Sequence, residues 1–146
     1  MKFSIPGEPV GKGRPRVVHN GHFTQTYTPE KTASYENLVK VEFQRQCGIE
    51  HFTDEKLKMT VTAYFGLAKG DSKKKRAAKL CGAIRPTKKP DADNILKCVA
   101  DALNGLAYND DSQIVSAVVE KHYAEMPHVD VTIEEAHNEG LPDLIP

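Results

Sequence analysis

At 146 residues the chain is long enough for one compact domain with a real core and too short for two ordinary ones. Its 20 basic and 20 acidic side chains cancel, which excludes a uniformly charged polyelectrolyte, and no apolar run is long enough for a signal peptide or a membrane span. Cys47, Cys81 and Cys98 are odd in number and form no Cys-x-x-Cys pair, which fits free thiols in a reducing cytoplasm.

Residues 2–5 predict a first strand, stopped by Pro6-Gly7. Val17-Val18 and residues 23–27 predict a hairpin about Asn20-Gly21, a strong turn signal. Thr28-Pro29 opens a helix to about residue 46, with Thr28 as cap, Pro29 in the first turn and Gly48 past its end. Its apolar face uses Tyr35, Leu38, Val39 and Phe43. Over residues 56–67, Leu57, Met59, Val61, Ala63 and Phe65 alternate with Lys58, Thr60, Thr62 and Tyr64, the pattern of a half-buried strand. Ser72 is placed to cap a short basic helix ending at Leu80, before Gly82, and residues 85–90 form an extended connection.

A helix over residues 93–104 is expected to bury Ile95, Leu96, Val99, Ala102 and Leu103, with Cys98 packed beside Val99. Residues 113–123 and 129–135 read as the last two strands, paired antiparallel. Together these elements make an α+β fold. A single domain over residues 1–136 carries one mixed β-sheet flanked by helices, and residues 137–146 form a loose C-terminal tail.

The zero net charge conceals a division along the chain. Lys69, Lys73, Lys74, Lys75, Arg76, Lys79, Arg85, Lys88 and Lys89 face Asp71 alone, whereas from Glu120 onward the acids face only Lys121. A run of lysines is more often a solvated helix face than a binding patch. Here it adjoins a carboxylate cluster, and Lys12, Arg14 and Arg16 of a glycine-containing opening loop extend it, which points to phosphate contact. The basic segment has little aromatic interleaving, so recognition by backbone position and shape is favoured over base stacking.

The cluster runs Lys88-Lys89-Pro90-Asp91-Ala92-Asp93-Asn94-Ile95-Leu96-Lys97, then Asp101-Ala102-Leu103-Asn104-Gly105, then Asn109-Asp110-Asp111-Ser112. A phosphodiester is already anionic, so a protein that hydrolyses it must supply positive charge, and a hard divalent ion on carboxylate oxygens does so. Asp91 and Asp93 sit where a loop turns into a helix, and Asp110-Asp111 supplies a third carboxylate if Gly105 returns the chain to the same end of the fold. No cysteine or histidine interrupts the set, which argues for magnesium or manganese over zinc. Each part has a plainer reading. Aspartates before an apolar helix act as caps, Lys97 four residues after Asp93 forms an intrahelical ion pair, and Asn-Asp-Asp-Ser is ordinary turn chemistry. Their joint occurrence favours the site.

The pattern Lys-Pro-Asp-x-Asp-Asn-x-x-Lys, then Asp-Ala-Leu-Asn-Gly, then Asp-Asp-Ser-Gln resembles the RusA-type Holliday-junction resolvases. Residues 7–16 and Tyr27-Thr28-Pro29 are similar to that family's basic opening loop and helix start, so the resemblance covers roughly residues 2 to 135. It implies metal-binding acids at Asp91, Asp93 and Asp111, with Asp110 as the alternative member of its pair, and Lys97 as the essential cation. Catalysis then falls to Asp91, Asp93, Asp111 and Lys97. Asp101, at helical spacing from Asp93 and Lys97, is read either as a supporting residue or as a capping or solvated surface acid. DNA contact is expected from Lys12, Arg14, Arg16, Lys73, Lys74, Lys75, Arg76, Lys88 and Lys89.

The implied activity is magnesium-dependent, structure-selective endodeoxyribonuclease action. It resolves Holliday junctions by paired phosphodiester hydrolysis in recombination and repair, with Mn2+ able to replace Mg2+. The implied partners are a four-way DNA junction and a second copy in a two-fold homodimer, in the cytoplasm of a bacterium or encoded by a bacteriophage, with no membrane partner. A calcium loop is excluded because Ile95 stands where a ligand is needed and no glycine occupies the sixth position. Zinc held by His19 and His22 lacks partner cysteines. The rival is a non-catalytic binding module for branched nucleic acid, which has no use for convergent aspartates.

Overall fold

A computed structural model describes residues 1–137, so apart from His137 the expected tail lies outside the described residues. Strands β1 (Lys2–Pro6), β2 (Arg16–Asn20) and β3 (Phe23–Tyr27) precede helix α1 (Glu30–Cys47). Strand β4 (Leu57–Phe65), helices α2 (Lys73–Leu80) and α3 (Ala92–Leu103), a single 3-10 turn at Asp111–Gln113, and strands β5 (Ile114–Tyr123) and β6 (His128–Glu135) follow.

Four strands form one sheet in the order β1-β6-β4-β5, and β2-β3 forms a separate hairpin. The β4–β5 pair is parallel and the others antiparallel, so the expected mixed sheet and α+β class hold. Parallel neighbours need a long crossover, and α2 and α3 lie within it. The expected β5–β6 pairing is not formed: β6 lies between β1 and β4, and β5 lies on the outer edge. Burial explains the exchange. Val129, Val131 and Ile133 of β6 are at most 1% exposed, whereas Val115 of β5 is 62% exposed. A strand with one face wholly apolar and enclosed gains most from pairing on both sides.

The alternation in β4 is realised residue by residue, with Leu57, Met59, Val61, Ala63 and Phe65 buried. Helices α1 and α3 belong to the same core, through Tyr35, Val39 and Phe43 of one and Ile95, Val99 and Leu103 of the other. Phe3 of β1 meets Phe43 edge to face at 5.5 Å. Helix α1 starts one residue later than the sequence pattern indicates. Pro29 holds the cap position, and its carbonyl accepts the amide of Ala33 at 3.0 Å. Truncating Leu103, which is fully buried, to alanine would cost about 2–5 kcal/mol and loosen α3 from the sheet.

Beyond α3, Gly105 adopts φ +78°, a conformation that a side chain would strain, and this turns the chain back. Buried Tyr108 then anchors the return, donating its hydroxyl to the Ala100 carbonyl at 2.7 Å. The Asp110-Asp111 pair therefore emerges beside the C-terminal end of α3 and leads directly into β5.

Candidate active site

Asp91 occupies the N-cap position of α3, yet its side chain makes no capping hydrogen bond. Neither Asp91 nor Asp93 has an ion pair among the described residues, so the plain capping reading of these acids is not the one the fold adopts. Asp110 and Asp111 divide differently. The Asp110 carboxylate takes the Ser112 hydroxyl, and this bond is the main reason its pKa lies below the ordinary aspartate value. Gln113 closes the same turn by accepting the amides of Asn109 at 2.9 Å and Asp110 at 3.0 Å. Asp111 is held through its backbone, its amide donating to Asn104 Oδ1 at 3.1 Å and its carbonyl accepting the Ile114 amide, so its carboxylate is left for other work.

Asp93, Lys97, Asp101 and Asp111 line one groove of about 280 Å³, walled by Leu96 and Ala100 of α3 and by Ile114 and Ala117 of β5. Residues 93, 96, 97, 100 and 101 form a single helical stripe, which is why Leu96 is only partly buried. Along that stripe Asp93 and Asp101 stand about 12 Å apart. Lys97 leans toward Asp101, at 3.7 Å, and not toward Asp93, and its side chain is 63% exposed. Asp91 lines a neighbouring cavity instead. Among the described residues no three histidine, cysteine, aspartate or glutamate side chains form a group that could hold a cation, so the expected convergence of Asp91, Asp93 and Asp111 stays a proposal.

This geometry does not fit a closed protein cage for a metal. It does fit a hard ion of the magnesium type, which keeps much of its water and needs only one or two carboxylates together with a substrate phosphate. Asp93, in the first turn of α3, and Asp111, in the turn before β5, both line the groove and are its candidate carboxylates.

The opening loop is strapped over the start of α3. Lys12 donates its amide to the Asn94 carbonyl at 2.9 Å, and Gly13 donates to buried Thr32 of α1 at 3.0 Å. A Cβ at Gly11 would come within 2.8 Å of Pro90, so only glycine allows this approach. The Lys12 ammonium, expected to contact phosphate, is instead engaged by Glu36 at 2.5 Å and Asp101 at 3.2 Å. Burial works against its charge, but the two carboxylates outweigh that effect and hold its pKa above the ordinary value. Arg14, Lys31, Lys89 and Asp91 line the adjoining open cavity of about 680 Å³, in which cations outnumber acids. Arg16 begins β2.

Helix α2 forms as read, with the Ser72 hydroxyl accepting the Lys75 amide at 3.2 Å. Lys73, Lys74 and Lys75 are exposed and Arg76 is half-buried, while Lys88 sits 5.7 Å from the Phe65 ring centre. His19 and His22 lie on or beside the hairpin, with no third metal ligand among the described residues. Two participants carried no local signal in the sequence. Lys31 enters the basic cavity only because the opening loop crosses α1, and His51 braces the Asp110-Asp111 loop from far along the chain.

The fold and groove define an α+β protein with an acidic cleft beside a basic recess. Residues 6–134 match the family described as Endodeoxyribonuclease RusA, and the chain belongs to that family. It is also 41% identical, over 138 residues, to the uncharacterized protein YqaN of Bacillus subtilis strain 168, a match covering 92% of this chain and 96% of that protein.

Proposed function

We propose that the protein is a divalent-metal-dependent, structure-selective endodeoxyribonuclease that resolves four-way DNA junctions in recombination and repair. The observation that carries this reading is the groove between α3 and β5, which Asp93, Lys97 and Asp111 all line. Membership of an endodeoxyribonuclease family supports the reaction class.

When bound, magnesium, for which manganese can substitute, supplies Lewis acidity toward the phosphate and acidifies an attacking water. Asp93 and Asp111 would hold it, while Asp91, its carboxylate unused as a cap, lines the cavity beside them. Asp110 serves mainly to shape the turn that presents Asp111. Lys97, on its exposed stem, neutralises the negative charge that builds on the phosphate during cleavage, and Asp101 limits its range of positions. Arg14, Arg16, Lys88 and Lys89 carry the strands past the site, and Lys73, Lys74, Lys75 and Arg76 extend the contact along α2. Lys12 contributes by fixing the opening loop. Symmetric resolution needs two nicks, so the working form is a two-fold homodimer with one site per subunit, in a bacterial or phage-infected cytoplasm. No helix among the described residues is long and apolar enough to cross a membrane.

Replacing Asp93 with asparagine, then measuring binding and cleavage of four-way junctions and linear duplex separately in magnesium, tests the assignment. Retained junction binding with lost cleavage is expected. Cleavage at the parental rate removes Asp93 from the site. A non-catalytic binding module for branched nucleic acid remains the second reading, favoured by the lack of a closed three-carboxylate cluster among the described residues. It predicts junction binding by the parent protein with no cleavage in any divalent metal.

A further inference from the structure

The β2–β3 hairpin is joined to no other strand, and residues 17–28 are all exposed. Two-stranded hairpins are marginally stable alone, and this one leaves Val17 54%, Tyr27 44% and Phe23 77% exposed. Phe23 directly follows the Gly21-His22 turn, so its ring stands at the tip. The pairing of Asn20 with Phe23 and of Val18 with Gln25 places Phe23, Gln25 and Tyr27 on one face, an aromatic and amide surface about 13 Å long.

Charge identifies what covers that surface. From Pro9 to Pro29 there is no aspartate or glutamate, whereas Arg14, Arg16, His19 and His22 fall within the span. The hairpin rises from the same loop whose Arg14 lines the basic cavity beside Asp91. A second copy of this arm would bring like charges together; a polyanion with unstacked aromatic faces complements both the charge and the exposed ring.

We propose that the hairpin is a DNA-engaging arm whose tip residue, Phe23, stacks on an unpaired or terminal base at a strand branch, while the arm's cations take the flanking phosphates. The proposal rests on the nuclease reading above and deepens it, because stacking at a branch gives the protein a means of selecting branched over continuous duplex that needs no base sequence.

The chain has no tryptophan, so Phe23→Trp installs a single emitter at the tip, and Ile49→Trp, at a fully exposed site past the end of α1, provides a control. In EDTA, which suppresses cleavage, a synthetic four-way junction is expected to quench Phe23→Trp emission. Linear duplex of matched length quenches it far less, and the control is unaffected. Phe23→Ala is expected to weaken junction binding roughly tenfold, the usual scale of one base–aromatic stack. Since the side chain is not in the core, the variant keeps its fold. Unchanged emission with a junction that the parent protein binds, or parental affinity in Phe23→Ala, overturns the arm and leaves the groove assignment standing. Emission that changes on dilution without DNA assigns the arm to self-association and overturns it as well. A parent that binds no junction brings down both readings.

Discussion

Asp71 and Asp93 each precede a lysine by four residues at the start of a helix, and the two regions treat that shared spacing in opposite ways. Beside α2, the Asp71 side chain is buried at 4% exposure and takes Lys79 at 2.6 Å and Lys75 at 3.6 Å; Lys79 also packs over the Tyr123 ring at 4.6 Å. On α3, Asp93 and Lys97 do not pair, and Lys97 leans the other way, loosely, toward Asp101. Charge enclosed and paired holds α2 to β5. Charge left free on a framework already fixed by Ile95, Val99 and Leu103 is available to a ligand.

The largest effect expected from this contrast concerns neighbours in sequence. Asp111→Asn should lower junction cleavage on the order of a thousandfold, as removal of a charge-stabilising group at a reacting centre does, while Asp110→Asn stays within about tenfold of the parent. Single-turnover cleavage of a four-way junction by the two variants decides it. Equal losses would mean that the turn-forming and the free carboxylate are not functionally distinct.

Next comes stability. Lys79→Met should lower the melting temperature by several degrees with per-molecule cleavage preserved, because it leaves Asp71 enclosed without its partner. The Asp71 carboxyl is held below its ordinary range, chiefly by the hydrogen bond from Lys79. A carboxyl with a lowered folded pKa stabilises fully above its unfolded value and loses that contribution as pH falls through the folded one. The melting-temperature gap between parent and Asp71→Asn should therefore be constant near neutrality and close below about pH 4. A gap that persists under acid would assign the burial at Asp71 to packing alone.

The outward side of α2 gives a smaller effect. Lys73→Ala and Lys74→Ala should each reduce the slope of log affinity against log salt by about 0.9 with the melting temperature unchanged, and Lys75→Ala by less, since Asp71 already claims part of its charge. Slopes equal to the parent's would return the exposed lysines to a solvated face.

Much of this was legible in the chain. The alternation of β4, the cap at Ser72 and the apolar stripe of α3 are local patterns, and local patterns survive folding. What could not be read was set by distant partners. The central place of β6 depends on β1 and β4 both pairing with it, and the capture of Lys12 depends on α1 bringing Glu36 beside Asp101. Asp91 and Asp93 are two residues apart, yet the turn from cap to helix directs them into different cavities, a distinction that spacing does not encode.

The smallest expected effect tests whether the Asp111 loop is as firmly placed as the helix it faces. His51 sets its two ring nitrogens against two acceptors, the Leu106 carbonyl at 2.9 Å and Asn109 Oδ1 at 2.7 Å, and only the charged ring donates to both. The carbonyl of Leu106, then Asn109, accordingly raise its pKa above the ordinary 6.5. A histidine with a raised folded pKa contributes fully below its unfolded value and loses that contribution as pH rises through the folded one. Amide exchange at residues 106–113, corrected for intrinsic pH dependence, should thus quicken roughly threefold between pH 6 and pH 8 in the parent. In His51→Ala it should be fast at both. Phe52 still donates to the Ala107 carbonyl at 2.8 Å and Gln113 to the Glu55 carbonyl at 3.1 Å, so the loop loosens and does not unfold. Protection that ignores pH in the parent would show that these backbone contacts alone hold Asp111 at the groove.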